Sequence, residues 1–164
     1  MSETAKINLL DFNRAALEAY FVANDEKPFR ARQLMQCVHQ RGITDFALMT
    51  DMSKNLREFL SAKCCIEMPR ILDRQHAADG TRKWLLAMDD NDNAVECVLI
   101  PEKSRNTLCV SSQVGCTLNC TFCSTAKQGF NRNLTTAEII AQLHFAHHSL
   151  IAEGYPQGVT NVVF

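Results

Sequence analysis

Apolar residues recur at helical spacing through the first seventy residues of the chain. Between Pro28 and Gly42 they follow the spacing i, i+3, i+4, i+7, which places them on one face of a helix: Ala31, Leu34, Met35 and Val38. Because proline is tolerated in the first turn of a helix and glycine is favoured just past its end, these two residues mark the predicted bounds.

Two further helices are predicted on either side of this one. Asp11 or Asn13 can cap a helix that runs to Ala23, and Ser53 can cap another. The apolar positions are Leu17, Tyr20 and Phe21 in the earlier helix and Leu56, Phe59 and Leu60 in the later one. The three helices together predict a compact helical module that ends near Arg70.

Period-two alternation replaces the helical pattern in the middle of the chain. Residues 82–88 and 94–100 predict two strands joined by a polar turn over residues 89–93. In the second strand Val95, Cys97 and Leu99 fall on one face, and Glu96, Val98 and Ile100 on the other. A carboxylate beside apolar side chains is expected to be partly desolvated, which raises its proton affinity and suits a general base. The alternative is a solvent-facing Glu on an edge strand.

The last part of the chain predicts a strand, a cysteine loop, a helix and another strand. Residues 107–114 predict a strand that delivers Cys116 to its carboxyl end, and residues 159–164 predict a buried strand of a parallel sheet. Thr135 and Glu138 have the spacing of a capping box, and Gly154 marks the end of the helix that follows. The apolar stripe of this helix is Ile139, Leu143, Ala146 and Leu150. The order predicts an α/β fold, and an α/β barrel places its chemistry at the carboxyl ends of strands.

Composition and charge narrow the classes of protein only slightly. The chain has 164 residues, is 46% hydrophobic and 21% charged, and has a net charge of −1, so it has no overall basic signal for nucleic acid. Residues 27–74 carry nine Lys and Arg against five Asp and Glu. This local excess suits contacts with phosphates, although a solvated helical surface has the same composition. Neither a signal peptide nor an apolar run of transmembrane length is found, so the expected location is the cytoplasm, with no membrane association.

The eight cysteines are the strongest chemical signal in the sequence. Without a signal peptide they indicate thiol chemistry in a reducing compartment. We interpret Cys37, Cys64 and Cys65 as packing residues. By contrast, Cys116, Cys120 and Cys123 lie within eight positions, too close to bridge one another and well placed to hold one metal ion or iron–sulfur cluster.

Two other interpretations of the three close cysteines stay open on spacing alone. They could form a structural zinc site with a distant histidine, or they could be buried thiols. The histidines concerned are His144, His147 and His148, which we expect to be ordinary surface residues of the last helix.

The residues around these cysteines resemble a known family. The spacing C-x3-C-x-Phe-C is similar to the cluster loop of the radical S-adenosylmethionine (SAM) superfamily. The longer run from Thr107 to Cys116, the sequence Phe122-Cys-Ser-Thr-Ala and the run from Gln128 to Leu134 resemble its RlmN/Cfr-type RNA methyltransferases. The resemblance extends from about Ile7 to Phe164, which is nearly the whole chain.

The resemblance implies a cofactor set and a role for each matching residue. Cys116, Cys120 and Cys123 would hold a [4Fe-4S] cluster whose open iron binds SAM, and Phe122 would pack near the SAM adenine. The cluster would split SAM to a 5′-deoxyadenosyl radical, which activates a methylated cysteine of the enzyme for attack on adenine C2. Glu96 would accept the C2 proton, and Cys109 would resolve the protein–RNA crosslink by forming a disulfide.

The resemblance also implies domains and partners. Residues 1–72 would form a helical accessory RNA-binding domain, residues 73–106 a β-hairpin linker, and residues 107–164 the start of a partial barrel, truncated after its second strand. The substrates would be adenine in the peptidyl-transferase centre of 23S rRNA and the adenine 3′ of the anticodon in tRNA. The electron donor would be a protein such as flavodoxin, and the enzyme would be a monomer.

The sequence departs from the family pattern at its end. The Gly-Glu-Pro motif that binds SAM and the cysteine that accepts the first methyl group are both missing from the sequence. We therefore expect an N-terminal fragment that can hold cluster ligands but is inactive as a methyltransferase. The alternatives are an adenine C8 methyltransferase of the same family and a non-enzymatic RNA-binding module that contains zinc.

Overall fold

Helices form the first part of the chain and a sheet dominates the second. The computed structural model describes residues 6–88, 93–118 and 120–164, and it divides the chain into two units, Met1–Glu67 and Met68–Phe164. In the first unit three helices and a short parallel strand pair are formed: β1 (Ile7–Asn8), α1 (Arg14–Ala23), α2 (Phe29–Met35), α3 (Lys54–Lys63) and β2 (Cys64–Cys65). A wide helical turn, Gln36–Gln40, continues α2.

The predicted helix ends of the first unit are confirmed. Of the two candidate caps for α1, Asn13 is the one used, since its Oδ1 accepts a hydrogen bond from the Ala16 N–H at 2.9 Å. Ser53 caps α3 by accepting from the Leu56 N–H at 3.3 Å. Gly42 follows the second helix with a φ of 69°, a left-handed conformation that favours glycine.

The apolar stripes of these helices meet in one core. Its fully buried members include Leu17, Phe21, Leu34, Leu56 and Leu60. Cys37 and Cys64 are also buried, as expected of packing residues, whereas Cys65 is only half-buried. The Cys64 thiol lies 3.1 Å from the Tyr20 hydroxyl, and burial raises the pKa of that thiol.

The second unit contains two sheets and two helices. Its elements are β3 (Arg70–His76), β4 (Arg82–Ala87), β5 (Ala94–Pro101), β6 (Asn106–Cys109), β7 (Gln113–Gly115), α4 (Ser124–Lys127), β8 (Phe130–Asn133), α5 (Thr136–Ala152) and β9 (Asn161–Val163). Five strands form one sheet in the order β3-β4-β5-β6-β9, in which β6 and β9 are parallel and the other three pairs are antiparallel. Strands β7 and β8 form a separate two-stranded sheet.

Strands β4 and β5 agree with the predicted pair, and the predicted alternation of β5 is confirmed. Val95, Cys97 and Leu99 are buried, whereas Glu96 and Ile100 are exposed. Of the predicted turn, residues 89–92 lie outside the described residues, and the Met88 N–H donates to the Asn93 carbonyl at 2.8 Å. Strand β3 was not predicted, because all but one of its residues are exposed at the sheet edge and show no alternation.

Helix α5 covers one face of the sheet. Its Ala146 and Leu150 pack on the sheet residues Trp84, Leu86, Cys97, Leu99, Leu108 and Val110. The capping box is present as predicted, since the Thr135 Oγ1 accepts from the Glu138 N–H at 3.2 Å and Glu138 accepts from the Thr135 N–H at 2.7 Å. In the described part of the chain, no helix has both the length and the apolar character needed to cross a membrane.

The prediction of one continuous strand over residues 107–114 is wrong. The chain forms β6, bends at residues 110–112, and then enters β7, which pairs with β8 in the separate sheet. The final strand is parallel to β6 as predicted, but it is exposed rather than buried because β9 lies at the sheet edge.

The opposed faces of β5 predict opposite effects for two adjacent substitutions. We expect Leu99→Ala to lower the free energy of unfolding by about 2–5 kcal/mol, because it opens a cavity against α5. We expect Ile100→Ala, whose side chain is 43% exposed on the other face, to cost less than about 1 kcal/mol. Urea unfolding of each variant measures both, and equal losses would contradict the assignment of faces.

Candidate cluster loop and catalytic face

The cysteine loop, residues 116–123, is part of a longer segment that leaves the fold at Cys116 and rejoins it at Gly129, and these two residues form a narrow neck. The Cys116 N–H donates to the Gly129 carbonyl at 3.1 Å, which closes the loop at its base. Gly115 has a φ of 72°, and a Cβ added there would lie 1.8 Å from the Gly129 carbonyl oxygen. Only glycine fits this close approach, so the backbone itself determines where Cys116 begins the loop.

The three predicted ligand cysteines are free thiols, and each is partly accessible. The Leu118 N–H donates to the Cys116 Sγ at 3.4 Å, and the Cys123 N–H donates to the Cys120 carbonyl at 3.1 Å. Asn119 of this loop lies outside the described residues. These contacts fold the loop back on itself between β7 and α4.

The chemistry of this donor set fits an iron–sulfur cluster. Three soft thiolate ligands on one short loop suit iron, and their odd number leaves one position for another ligand. Among the described residues, no three His, Cys, Asp or Glu side chains are close enough to hold a metal ion together. The structure therefore brings the three cysteines onto one loop but does not converge them on one point.

The backbone around Cys123 shifts its thiol towards the thiolate form. It precedes α4, and the backbone N–H groups of Ala126 and then Thr125 lower the pKa of its thiol by hydrogen bonding to the charged form. Because the thiolate is the form that binds metals, this environment suits a ligand.

The histidines of α5 do not extend the donor set. His144, expected on the helix surface, is in fact buried, with 7% of its surface exposed, and its ring lies 4.4 Å from that of His148. The Nδ1 of His147 accepts a hydrogen bond from the Val159 N–H at 3.2 Å, which anchors the segment before β9. The interpretation of His144 as a surface residue is therefore wrong.

The two predicted catalytic residues lie on one face of the sheet, the face opposite α5, which we call the helix-free face. Cys109 is the cross-strand partner of Val98, and partners in a sheet project to the same side. Glu96 precedes Val98 by two residues and shares that side, whereas Leu99 and Leu108 form the partner pair that faces α5. The register thus places Glu96 and Cys109 diagonally across two adjacent strands.

The expected desolvation of Glu96 is not found. Its side chain is 55% exposed and forms an ion pair with the Lys83 Nζ at 2.9 Å. The reason is its position on the face of the sheet opposite the residues that pack under α5. Its assignment as a general base therefore depends on the resemblance and stays a prediction.

Cys97 and Cys109 occupy adjacent strands but very different environments. Cys97 is fully buried beneath α5, and burial raises the pKa of its thiol to about 12, with a smaller contribution from nearby Cys109. Cys109 is only half-buried. Of these two thiols, Cys109 is the one that can be reached from the helix-free face.

The remaining predicted site residue, Phe122, is 90% exposed, so its side chain packs on little of the described chain. Its role beside a cofactor stays a prediction. Leu118, in the same loop, is 65% exposed.

Sequence reasoning missed Gln142, which is fully buried on α5 and bonded to the backbone of Ser111. The sequence does contain a sign that Gln142 is buried, since it falls three residues after Ile139, at a position where an apolar residue would continue the stripe. It also missed the bidentate pair between Arg132 and Glu138, with N–O distances of 2.7 and 2.8 Å, which joins β8 to the first turn of α5.

Comparison with known proteins identifies relatives of both units. Residues 7–66 match the family model of the ribosomal RNA large subunit methyltransferase N-terminal domain. The chain is 54% identical over 158 residues to a dual-specificity RNA methyltransferase RlmN of Alkalilimnicola ehrlichii, and 53% identical over 159 residues to that of Marinobacter nauticus. Each alignment covers 96% of this chain and 43% of the relative. The chain thus spans less than half the length of these curated relatives.

A solved structure shows the same fold. A radical SAM methyltransferase from Sphaerobacter thermophilus superimposes with a TM-score of 0.85 at 32% sequence identity. The superposition covers 96% of this chain and 46% of that protein. The mixed α/β architecture described above is therefore part of a fold that a radical SAM methyltransferase uses.

The close approach at the neck predicts different effects for its two glycines. Both have a φ of 72°, so alanine at either position costs about 1 kcal/mol of backbone strain. A Cβ at Gly129 meets nothing within 4 Å, whereas one at Gly115 collides with the Gly129 carbonyl. We expect Gly115→Ala to lower the free energy of unfolding by about 2 kcal/mol more than Gly129→Ala. Urea unfolding measures the free energy of unfolding of both variants. Equal losses would contradict the prediction, because they would mean that the backbone at the neck separates at no cost to admit the Cβ at residue 115.

Opposite pKa shifts predict the order in which accessible cysteines react. Backbone hydrogen bonds lower the pKa of Cys123, whereas burial and nearby Glu67 raise that of Cys65 to about 11, although both thiols are partly accessible. Since the thiolate is the reactive form, we expect iodoacetamide to label Cys123 at a lower pH than Cys65. Peptide mapping of the metal-free chain between about pH 6 and 10 measures the two profiles. The buried Cys97 serves as the unreactive reference, and labelling of Cys65 at the lower pH would refute the assignment.

Proposed function

Because the chain is related to RlmN methyltransferases along nearly all of its length, we propose that it forms part of a radical SAM enzyme that methylates C2 of adenine in RNA. The observation that carries this proposal is the placement of three free thiols on the loop that follows the bend after β6, the strand that holds Cys109. The helix-free face then supplies a proton acceptor, Glu96, and a thiol, Cys109. The activity belongs to the whole enzyme, of which this chain spans less than half by comparison with its relatives.

Cys116, Cys120 and Cys123 would hold a [4Fe-4S] cluster that also takes SAM as a ligand. When bound, this pair of cofactors supplies radical chemistry, which an unreactive aromatic carbon requires. The contribution of the protein is the loop itself: its neck determines where Cys116 starts, and the hydrogen bonds from Ala126 and Thr125 favour the Cys123 thiolate. Phe122, projecting from the same loop, is available to pack on the adenine of SAM.

Glu96 and Cys109 would act on the RNA. Glu96 accepts the proton that leaves C2, and its ion pair with Lys83 holds the carboxylate on the helix-free face. Cys109 would supply a thiolate that attacks the sulfur of the cysteine crosslinked to the RNA, which the rest of the enzyme provides. An S–S bond forms, the carbon–sulfur bond of the crosslink breaks, and the released carbon takes a proton to become the methyl group. The burial and high pKa of Cys97 keep the neighbouring thiol out of this exchange.

The proposed substrates are adenine in 23S rRNA and the adenine 3′ of the anticodon in tRNA. In this assignment residues 1–72 form the RNA-binding domain, residues 73–106 form a linker, and residues 107–164 begin the barrel. The basic surface of the first unit is partly neutralised, because Arg30 pairs with Glu26 and Arg41 with Asp51. Arg32 is exposed on the same helix and is the better candidate for a phosphate contact. A monomeric enzyme in the cytoplasm, reduced by a protein such as flavodoxin, completes the proposal.

Anaerobic reconstitution with iron and sulfide tests the cluster directly. We expect about four iron and four sulfide per chain, with the paramagnetic resonance spectrum of the reduced cluster as its signature. Replacing any one of Cys116, Cys120 or Cys123 with alanine is expected to reduce bound iron severalfold, because the loop provides three cluster ligands and each variant lacks one of them. Iron and sulfide analysis with metal quantification measures this.

Cys37→Ala is the matched control, since it removes a buried thiol from the first unit. Its iron content should equal that of the unaltered chain. One zinc per chain without sulfide would replace the enzyme assignment with a structural zinc site, and iron that persists in all three loop variants would place the ligands elsewhere. A change of the spectrum on adding SAM would show that the open iron is accessible.

A further inference from the structure

The chain leaves the five-stranded sheet at a bend formed by Val110, Ser111 and Ser112, between β6 and β7. Here the side chain of Gln142 takes the place of a neighbouring strand. The Ser111 N–H donates to the Gln142 Oε1 at 2.9 Å, and the Gln142 Nε2 donates to the Ser111 carbonyl at 3.0 Å. Ser111, which is half-buried and no longer paired with a strand, thus has partners for both its N–H and its carbonyl group.

The bend is connected to every segment that carries a proposed functional residue. The Ser111 Oγ donates to the carbonyl oxygen of Glu96 at 2.8 Å, which joins the bend to β5. Cys109 lies two residues before Ser111, and Cys116 lies five residues after it. The Leu134 N–H donates to the Ser112 carbonyl at 2.9 Å, which joins the bend to the end of β8.

We propose that Gln142 is a positioning residue for the methyltransferase proposed above: by holding the Ser111 backbone, it sets the direction in which β7 carries the cysteine loop away from Cys109 and Glu96. This inference rests on that proposed function. The hydrogen bonds of the Gln142 side chain run to the backbone of Ser111 and Glu138, so its effect on Cys109, Glu96 and the cysteine loop passes through Ser111.

The chemistry of the side chain explains why a glutamine stands at this position. A primary amide both donates and accepts, so one side chain can satisfy an N–H and a C=O group at once. The Nε2 also donates to the Glu138 carbonyl at 3.3 Å, one turn earlier on α5, which fixes the orientation of the amide. A purely apolar residue would fill the same space but would leave both backbone groups of Ser111 without their partner.

The decisive variant is Gln142→Met, which keeps the length of the side chain and removes its hydrogen bonds. We expect the Ser111 amide to exchange with solvent about tenfold faster, with smaller increases through Gly115. We also expect bound iron after anaerobic reconstitution to fall by about half or more, because the loop no longer leaves the sheet in one direction. Hydrogen exchange of the metal-free chain and iron and sulfide analysis measure the two effects.

Leu150→Val is the control, since Leu150 is buried on the same helix and packs in the same core but forms no hydrogen bond with Ser111. It should lower overall stability while leaving Ser111 exchange and iron content unchanged. Should Gln142→Met fail to fold, Gln142→Asn is used, whose amide is one methylene too short to reach Ser111. If both variants fail to fold, Gln142 serves formation of the fold and the proposal is overturned.

The outcomes separate this inference from the proposed function. Equal losses of iron in Gln142→Met and Leu150→Val, or unchanged exchange in a folded Gln142→Met, would overturn the positioning role. If the unaltered chain takes up no cluster, the proposed function fails. In that case exchange alone decides the inference: faster exchange confined to residues 109–115 supports the direction-setting role of Gln142, and unchanged exchange refutes it.

Discussion

The packing of α5 on a single face of the sheet determines most of what the second unit can do. It buries Cys97, Leu99, Leu108 and Val110, and the alternation of the strands then requires their neighbours to project the other way. A carboxylate, a lysine and a thiol occupy that opposite face, where burial under a helix would have cost several kcal/mol for each of the two charged groups. The hydrophobic side thus provides the stability, and the helix-free face keeps the reactive groups accessible.

The same constraint explains why the cysteine loop begins with a bend. A strand that continued straight from β6 would keep the following residues in the five-stranded sheet. In the structure the chain instead leaves this sheet, and the cysteine loop follows. Leaving a sheet exposes backbone groups that then need other partners. The structure satisfies them with Gln142 at the bend and with the close approach of Gly115 and Gly129 at the neck. Two sets of backbone contacts, one on either side of β7, thus determine where the cysteine loop begins.

Features that depend on local sequence pattern could be predicted, whereas features that depend on residues distant in the sequence could not. The helix caps at Asn13, Ser53 and Thr135, the faces of β5 and the parallel final strand follow from residue type and period. The break at Ser111 could not be predicted from period alone, because residues 107–114 are uniformly strand-like and the break depends on a side chain 31 residues away. Likewise, the exposure of Glu96 depends on which face α5 covers, and strand β3 shows no alternation because it lies at an edge.

The eight cysteines show how one residue type is given different chemistry by its surroundings. Burial raises the pKa of Cys97 to about 12 and that of half-buried Cys65 to about 11, so both are poor nucleophiles and poor metal ligands at neutral pH. At Cys123 the desolvation is outweighed by backbone N–H groups, and the shift has the opposite sign. The thiolate form is therefore more accessible at Cys123 than at Cys97 or Cys65. Backbone N–H groups thus give a cysteine of the loop a chemical character that burial denies to Cys97.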